Sequence, residues 1–118
     1  MSIESKMTEK SLKQIEKITG RKLTFGRLLW AIRKSDDITQ VDFAKKLGIS
    51  KQHLCDIEHD RKNVNAALAG NYAEKLGYAR EQFIRLSLQD MLDREGLGYT
   101  VELKRNQINR ISKLSYAS

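Results

Sequence analysis

Lys51, Gln52, Cys55 and Asp56 fall on one polar side of a short helical stretch, and their side chains are of the kinds that hydrogen-bond to base edges in a DNA major groove. Lysine can bond guanine O6 and N7, glutamine can pair with adenine N6 and N7, and an aspartate such as Asp56 suits a cytosine N4 donor. Lys51 or Gln52 can instead hold phosphates, and Cys55 reads most simply as a small side chain on this face. His53 faces sideways, toward the backbone of a duplex. Ser50 combines a helix cap with a phosphate ligand. Gln40 stands at the first turn of the preceding helix, where its amide and the helix's positive end can meet a phosphate. Arg61 and Lys62 follow in a loop, with long charged chains suited to phosphates. Catalysis is not expected. His53 and His59 are six apart and share no helical face, Cys55 lacks the second thiolate of a structural zinc site, and neither a phosphate-binding glycine loop nor a nucleophile elbow occurs. No metal or cofactor is expected either.

The elements that must hold these groups lie in QVDFAKKLGISKQHLCDI, residues 40–57. Ala44 is small where two helices would cross, Gly48 tolerates the positive φ that a tight turn needs, and Ile49 follows as an apolar plug. Phe43, Leu47, Leu54 and Ile57 fill the inward positions. Two short helices joined in this way leave one polar face free to enter a groove.

The segment resembles the helix-turn-helix of the lambda repressor and Cro type, the XRE family. Gln40 opens the first helix, Ala44 and Gly48 take its fifth and ninth positions, Leu54 and Ile57 the fifteenth and eighteenth, and Glu58 completes the common "IE" ending. Leu28, Leu29 and Arg33 resemble the preceding "LLxxIR" helix, and RKNVNAALAGNYAEKLG resembles the fourth helix, with Asn65 and Ala66 where Ser-Pro is frequent and Asn65 able to cap the helix itself. The resemblance implies a bridge between Arg33 and Glu58 that fixes the angle between their helices. It also implies double-stranded DNA as partner and repression by a dimer at a palindromic operator. An alternative is the antitoxin of a type II toxin-antitoxin pair, as in HigA-like proteins, with a toxin protein as second partner.

Along the chain, Thr8 to Ile18 reads as an amphipathic helix ended by Gly20, and Thr24 caps a helix with Phe25, Leu28, Leu29 and Ile32 on one face. Trp30 falls at the rim of that stripe. Thr39 and Ser50 cap the two motif helices, and Ala69, Tyr72, Ala73 and Leu76 mark a fourth helix. Arg80 to Arg94 carries an apolar band too wide for one buried stripe. Tyr99 to Leu103 alternates with a period of two, as a half-buried strand does, and the simplest pairing for it is its copy in a second subunit. Phe83, Leu88, Met91, Tyr99, Val101 and Leu103 are the expected dimerisation residues. The expected fold is all-α: a five-helix lambda-repressor-like DNA-binding domain over 23–96, an added N-terminal helix within 1–22, a short C-terminal β-strand for dimerisation at 97–104 and a basic tail at 105–118. In that tail Ile108, Ile111 and Leu114 fit either a helical turn or a solvated segment.

With 118 residues the chain is expected to form one domain. No apolar run approaches the roughly 18 residues of a membrane span, no signal peptide pattern opens the chain, and a single cysteine cannot form an internal disulfide, so a cytoplasmic location is expected. The net charge is +7, but it sits at the ends. Residues 1–34 carry nine Lys/Arg against three acids and residues 104–118 carry four against none, whereas residues 35–62 carry five against six. Non-specific phosphate attraction is therefore expected from the flanks and base reading from the centre.

Overall fold

The computed structural model describes residues 23–106. The helix expected over Thr8 to Ile18 and nearly all of the basic tail lie outside them. Among the described residues there are five helices: α1 Phe25–Ser35, α2 Gln40–Leu47, α3 Lys51–Glu58, α4 Ala66–Leu76 and α5 Arg80–Arg94. None is long and apolar enough to cross a membrane.

Four helices start on a side-chain cap. Thr24, Thr39, Ser50 and Asn65 accept hydrogen bonds from the backbone N–H three residues on, at 3.1, 3.1, 3.0 and 2.8 Å, so each satisfies one otherwise unpaired donor. All five helices end alike. Asp37, Gly48, Asp60, Gly77 and Gly96 adopt positive φ, and the next residue donates its N–H to a carbonyl five residues back, as Ile49 does to Ala44 at 3.0 Å and Tyr78 to Ala73 at 2.8 Å. Ile49 and Tyr78 then pack on the core as half-buried plugs. At two of these ends an aspartate stands where glycine is commoner.

The core joins Leu28, Leu29 and Ile32 of α1, Phe43 and Leu47 of α2, Leu54 and Ile57 of α3, Tyr72 and Ala73 of α4, and Phe83 and Leu86 of α5. Phe83 packs edge-on against Phe25 at 5.6 Å between ring centroids and tilts against Tyr78 at the same distance. It is 1% exposed, so its expected role in dimerisation is corrected: it is a core residue of its own chain. Trp30 lies at the rim as expected, with the Arg27 guanidinium 4.3 Å from its ring centroid.

α5 buries polar groups. Ser87, Gln89 and Asp90 face inward, while Met91 on the same helix is 47% exposed. Each buried group has a fixed partner. Ser87 donates to the Val64 carbonyl at 2.6 Å, and Asp90 accepts from the Phe25 N–H at 3.3 Å and from Arg94 at 3.2 Å. Gln89 donates to the Tyr99 carbonyl and accepts from the Val101 N–H, both at 2.8 Å. The strand expected at 97–104, with its copy in a second subunit as partner, does not form within one chain. No strand forms among the described residues; the amide of Gln89 acts as the pairing partner of residues 99–101, and an Arg105 to Glu81 ion pair holds the segment farther along α5.

α1 crosses the end of α3 very closely. A methyl group at Gly26 would lie 1.9 Å from the Ile57 carbonyl oxygen and 2.7 Å from Asp60 Oδ1. Gly26→Ala is expected to destabilise the domain by about 1–3 kcal/mol, as overpacking does when backbone must shift. Thermal unfolding followed by circular dichroism measures this, and an unchanged midpoint would contradict the close crossing.

Candidate nucleic-acid interface

Ser50 fixes the start of α3 by accepting the His53 N–H, and Leu54, Ile57 and Glu58 are buried, so the helix has one rotational setting in the core. That setting leaves Lys51 and Gln52 exposed and His53, Cys55 and Asp56 half-buried at the surface. Arg61 and Lys62 are exposed just beyond the helix. The structure therefore leaves Ser50, Lys51, Gln52, His53, Cys55 and Asp56 at the surface with Arg61 and Lys62, while Leu54 is buried.

Glu58 does not belong to that surface. Its side chain is 1% exposed, and Arg33 of α1 clamps it with two hydrogen bonds, Nε to Oε2 at 2.7 Å and Nη2 to Oε1 at 3.1 Å. Arg33 Nη1 also donates to the Ile38 carbonyl at 3.1 Å. A third donor reaches the carboxylate from α2, Gln40 Nε2 to Oε1 at 2.9 Å. A buried carboxylate needs this many donors to offset its desolvation, and the planar guanidinium supplies a matched pair of them. Gln40 thus points its amide nitrogen inward, while its position at the N-terminus of α2 keeps the positive helix end at the surface.

The outer face carries its own network. Asp56 Oδ1 accepts from Gln52 Nε2 at 3.0 Å and from Arg61 Nε at 3.1 Å. The Arg61 guanidinium holds the Asp56 carboxyl below its ordinary pKa, with help from the Gln52 hydrogen bond, and Asp56 in turn raises that of Arg61. Cys55 Sγ lies 3.6 Å from His59 Nδ1 and 3.7 Å from Arg61 Nη2. No group of three or more His, Cys, Asp or Glu among the described residues is placed to hold a metal ion.

Three contributors escape a reading of the sequence. Lys75 of α4 donates to the Leu47 carbonyl at 3.0 Å, tying the end of α2 to α4. Asp60, in the turn after α3, accepts from the Thr24 hydroxyl at 2.7 Å and lies near Arg94. Gly26 sets the approach of α1 and α3. A glycine inside an amphipathic stripe, costly to a helix, is the one available signal for the last.

Comparison with known proteins agrees with the geometry. The helix-turn-helix family model matches residues 31–83, from within α1 to the first turn of α5. An immunity repressor protein of Bacillus phage phi105 is 40% identical over 55 residues, which is 47% of this chain and 38% of that protein. The chain thus spans well under half the length of that relative. No solved structure matches.

Removing the Glu58 carboxylate leaves Arg33 without its partner in a site with little access to water. Glu58→Ala is expected to cost about 3–5 kcal/mol, and in a double-mutant cycle with Arg33→Ala the double variant should lose less than the sum of the singles. Denaturant unfolding of the four proteins measures the coupling, and strict additivity would rule the bridge out as a unit.

Proposed function

We propose that the helix-turn-helix domain of residues 31–83, which is of the XRE type, is the reading head of a transcriptional regulator that represses from a palindromic operator as a dimer. The observation that carries the reading is the surface of α3. Its polar residues from Ser50 to Asp56 stand together while the rest of the helix is fixed in the core and clamped through Glu58. A helix held so firmly can enter a major groove without being ordered by it. The named relative, an immunity repressor protein, supports repression as the outcome. In this reading Lys51 and Gln52 contact bases, Ser50, His53, Arg61, Lys62 and the start of α2 at Gln40 contact phosphates, and Cys55 packs beside the bases.

Dimerisation is assigned to the outer side of α5 and the segment behind it. Leu88 and Val101 are half-buried, and Met91, Tyr99 and Leu103 are exposed, Tyr99 to 71%. Two-fold pairing there would give two copies of α3 about 34 Å apart, one turn of duplex. The antitoxin reading uses the same exposed segment, Tyr99 to Leu103, for a toxin instead of a second copy.

Lys51→Ala and Gln52→Ala are each expected to lose about 1–3 kcal/mol of discrimination between a duplex selected from a random library and unselected duplex, with thermal stability unchanged. Equal weakening on both duplexes would put these residues on phosphates.

Truncation after Gly96 should leave α1 to α5 folded and weaken both self-association in sedimentation and affinity for the selected duplex. A truncated chain that sediments and binds like the full one would remove the segment from dimerisation and favour its use by another protein.

A further inference from the structure

Asp56 is an acid on a face that the proposed function brings against phosphates. Its carboxylate is already occupied. Oδ1 accepts from Gln52 Nε2 at 3.0 Å and lies 3.1 Å from Arg61 Nε and 3.0 Å from Arg61 Nη2. The arginine neutralises the charge that would otherwise repel a phosphate chain, and Lys62 adds a second positive charge nearby. The consequence for Gln52 is orientational. An ionised carboxylate only accepts, so the amide nitrogen of Gln52 must face it, because the flipped amide would set Oε1 against a negative oxygen. With the nitrogen so placed, Oε1 and the second Nε2 hydrogen remain free for a base. These are the acceptor and donor that adenine N6 and N7 require.

We propose that Asp56 reads no base itself but acts as a positioning residue, fixing the amide of Gln52 in the one orientation that selects adenine and holding Arg61 beside the reading face. The proposal rests on the DNA-reading function and deepens it, replacing a cytosine contact by Asp56 with an indirect role. A freely rotating glutamine amide fits several base edges, whereas one pinned at its nitrogen has a defined donor and acceptor. Arg61, bonded to the same oxygen, meets phosphate only from beside α3 and with part of its charge already paired, which limits indiscriminate phosphate binding.

The test uses the full chain as wild type, Asp56→Ala, Gln52→Ala and the double variant, each allowed to bind a random-sequence duplex library from which the bound fraction is sequenced. Affinity for unselected duplex is measured in parallel against salt concentration. Wild type should enrich an adenine in each half-site that Gln52→Ala no longer selects. Asp56→Ala should lose most of the same adenine preference, by about tenfold, which is within the range of one base contact. It should also bind unselected duplex more tightly, with a salt dependence steeper by about one phosphate contact, because a negative charge is gone and the charge of Arg61 is no longer shared with Asp56. Adding Asp56→Ala to Gln52→Ala should change the preference no further. Asp56→Leu, close in shape and unable to accept a hydrogen bond, carries the same expectations and replaces Asp56→Ala if that variant melts early.

Loss of a cytosine preference at a separate position, with adenine selection intact, would make Asp56 a base reader and overturn the proposal. Uniform weakening on all duplexes, an Asp56→Ala profile identical to wild type, or a Gln52→Ala variant that keeps every preference would overturn it too. A wild-type chain that enriches no sequence overturns the DNA-reading function and this proposal with it, and that failure is visible in the wild-type arm alone.

Discussion

The carboxylate of Glu58 is the constraint on which the setting of α3 and its outer face depends. It is almost wholly removed from water, and a charge in that position persists only if donors surround it. Arg33 supplies two and Gln40 a third, so one side chain at the end of α3 fixes α1 and α2 together. Arg33 extends the clamp to the turn between those helices through the Ile38 carbonyl. Apolar packing alone would hold the same helices at a similar distance, but it has little directionality; bidentate pairing adds a defined angle. Because α3 is only eight residues long, its orientation is inherited from these neighbours and not from its own length.

The helix ends enforce the same economy of conformations. Five short helices in a chain without proline need stops of another kind, and each uses a residue at positive φ followed by a backbone hydrogen bond five residues back. Where the stop is glycine it is plain in the sequence, as at Gly48 and Gly77. At Asp37 and Asp60 it is not, because aspartate enters the left-handed region only when its surroundings support it. Asp60 has such support: its carboxylate receives the hydroxyl of Thr24, the cap of α1. A helix start and a helix stop, thirty-six residues apart, are thereby joined at the crossing that Gly26 makes close.

Much of this was legible in the residues. The four caps, the apolar stripes of α1 to α4, the span of α5 and the turn at Gly48 and Ile49 follow from local rules, and the Arg33 to Glu58 pair followed from the resemblance of its setting. What the residues did not disclose depends on long-range placement. The band on α5 looked too wide for one buried stripe, and Phe83 was among the residues assigned to a partner, yet Phe83 turns into the core while the polar Gln89 and Asp90 are buried beside it. Period-two alternation at Tyr99 to Leu103 suggested a strand, and a glutamine side chain took the place of a neighbouring strand. On the outer face of α3, composition named the groups but not their mutual bonds, and Asp56 looked like one more hydrogen-bonding residue until Gln52 and Arg61 converged on it.

In the proposed function α3, held through Glu58, presents its outer face to a duplex. A titration of the isotopically labelled full chain with a duplex selected from a random library, followed by backbone amide resonances, tests it most directly. The largest changes are expected at Gln40, from Ser50 to Asp56, and at Arg61 and Lys62, with the core of α4 little affected. Changes concentrated on α4 and α5, with α3 unperturbed at saturation, would contradict it.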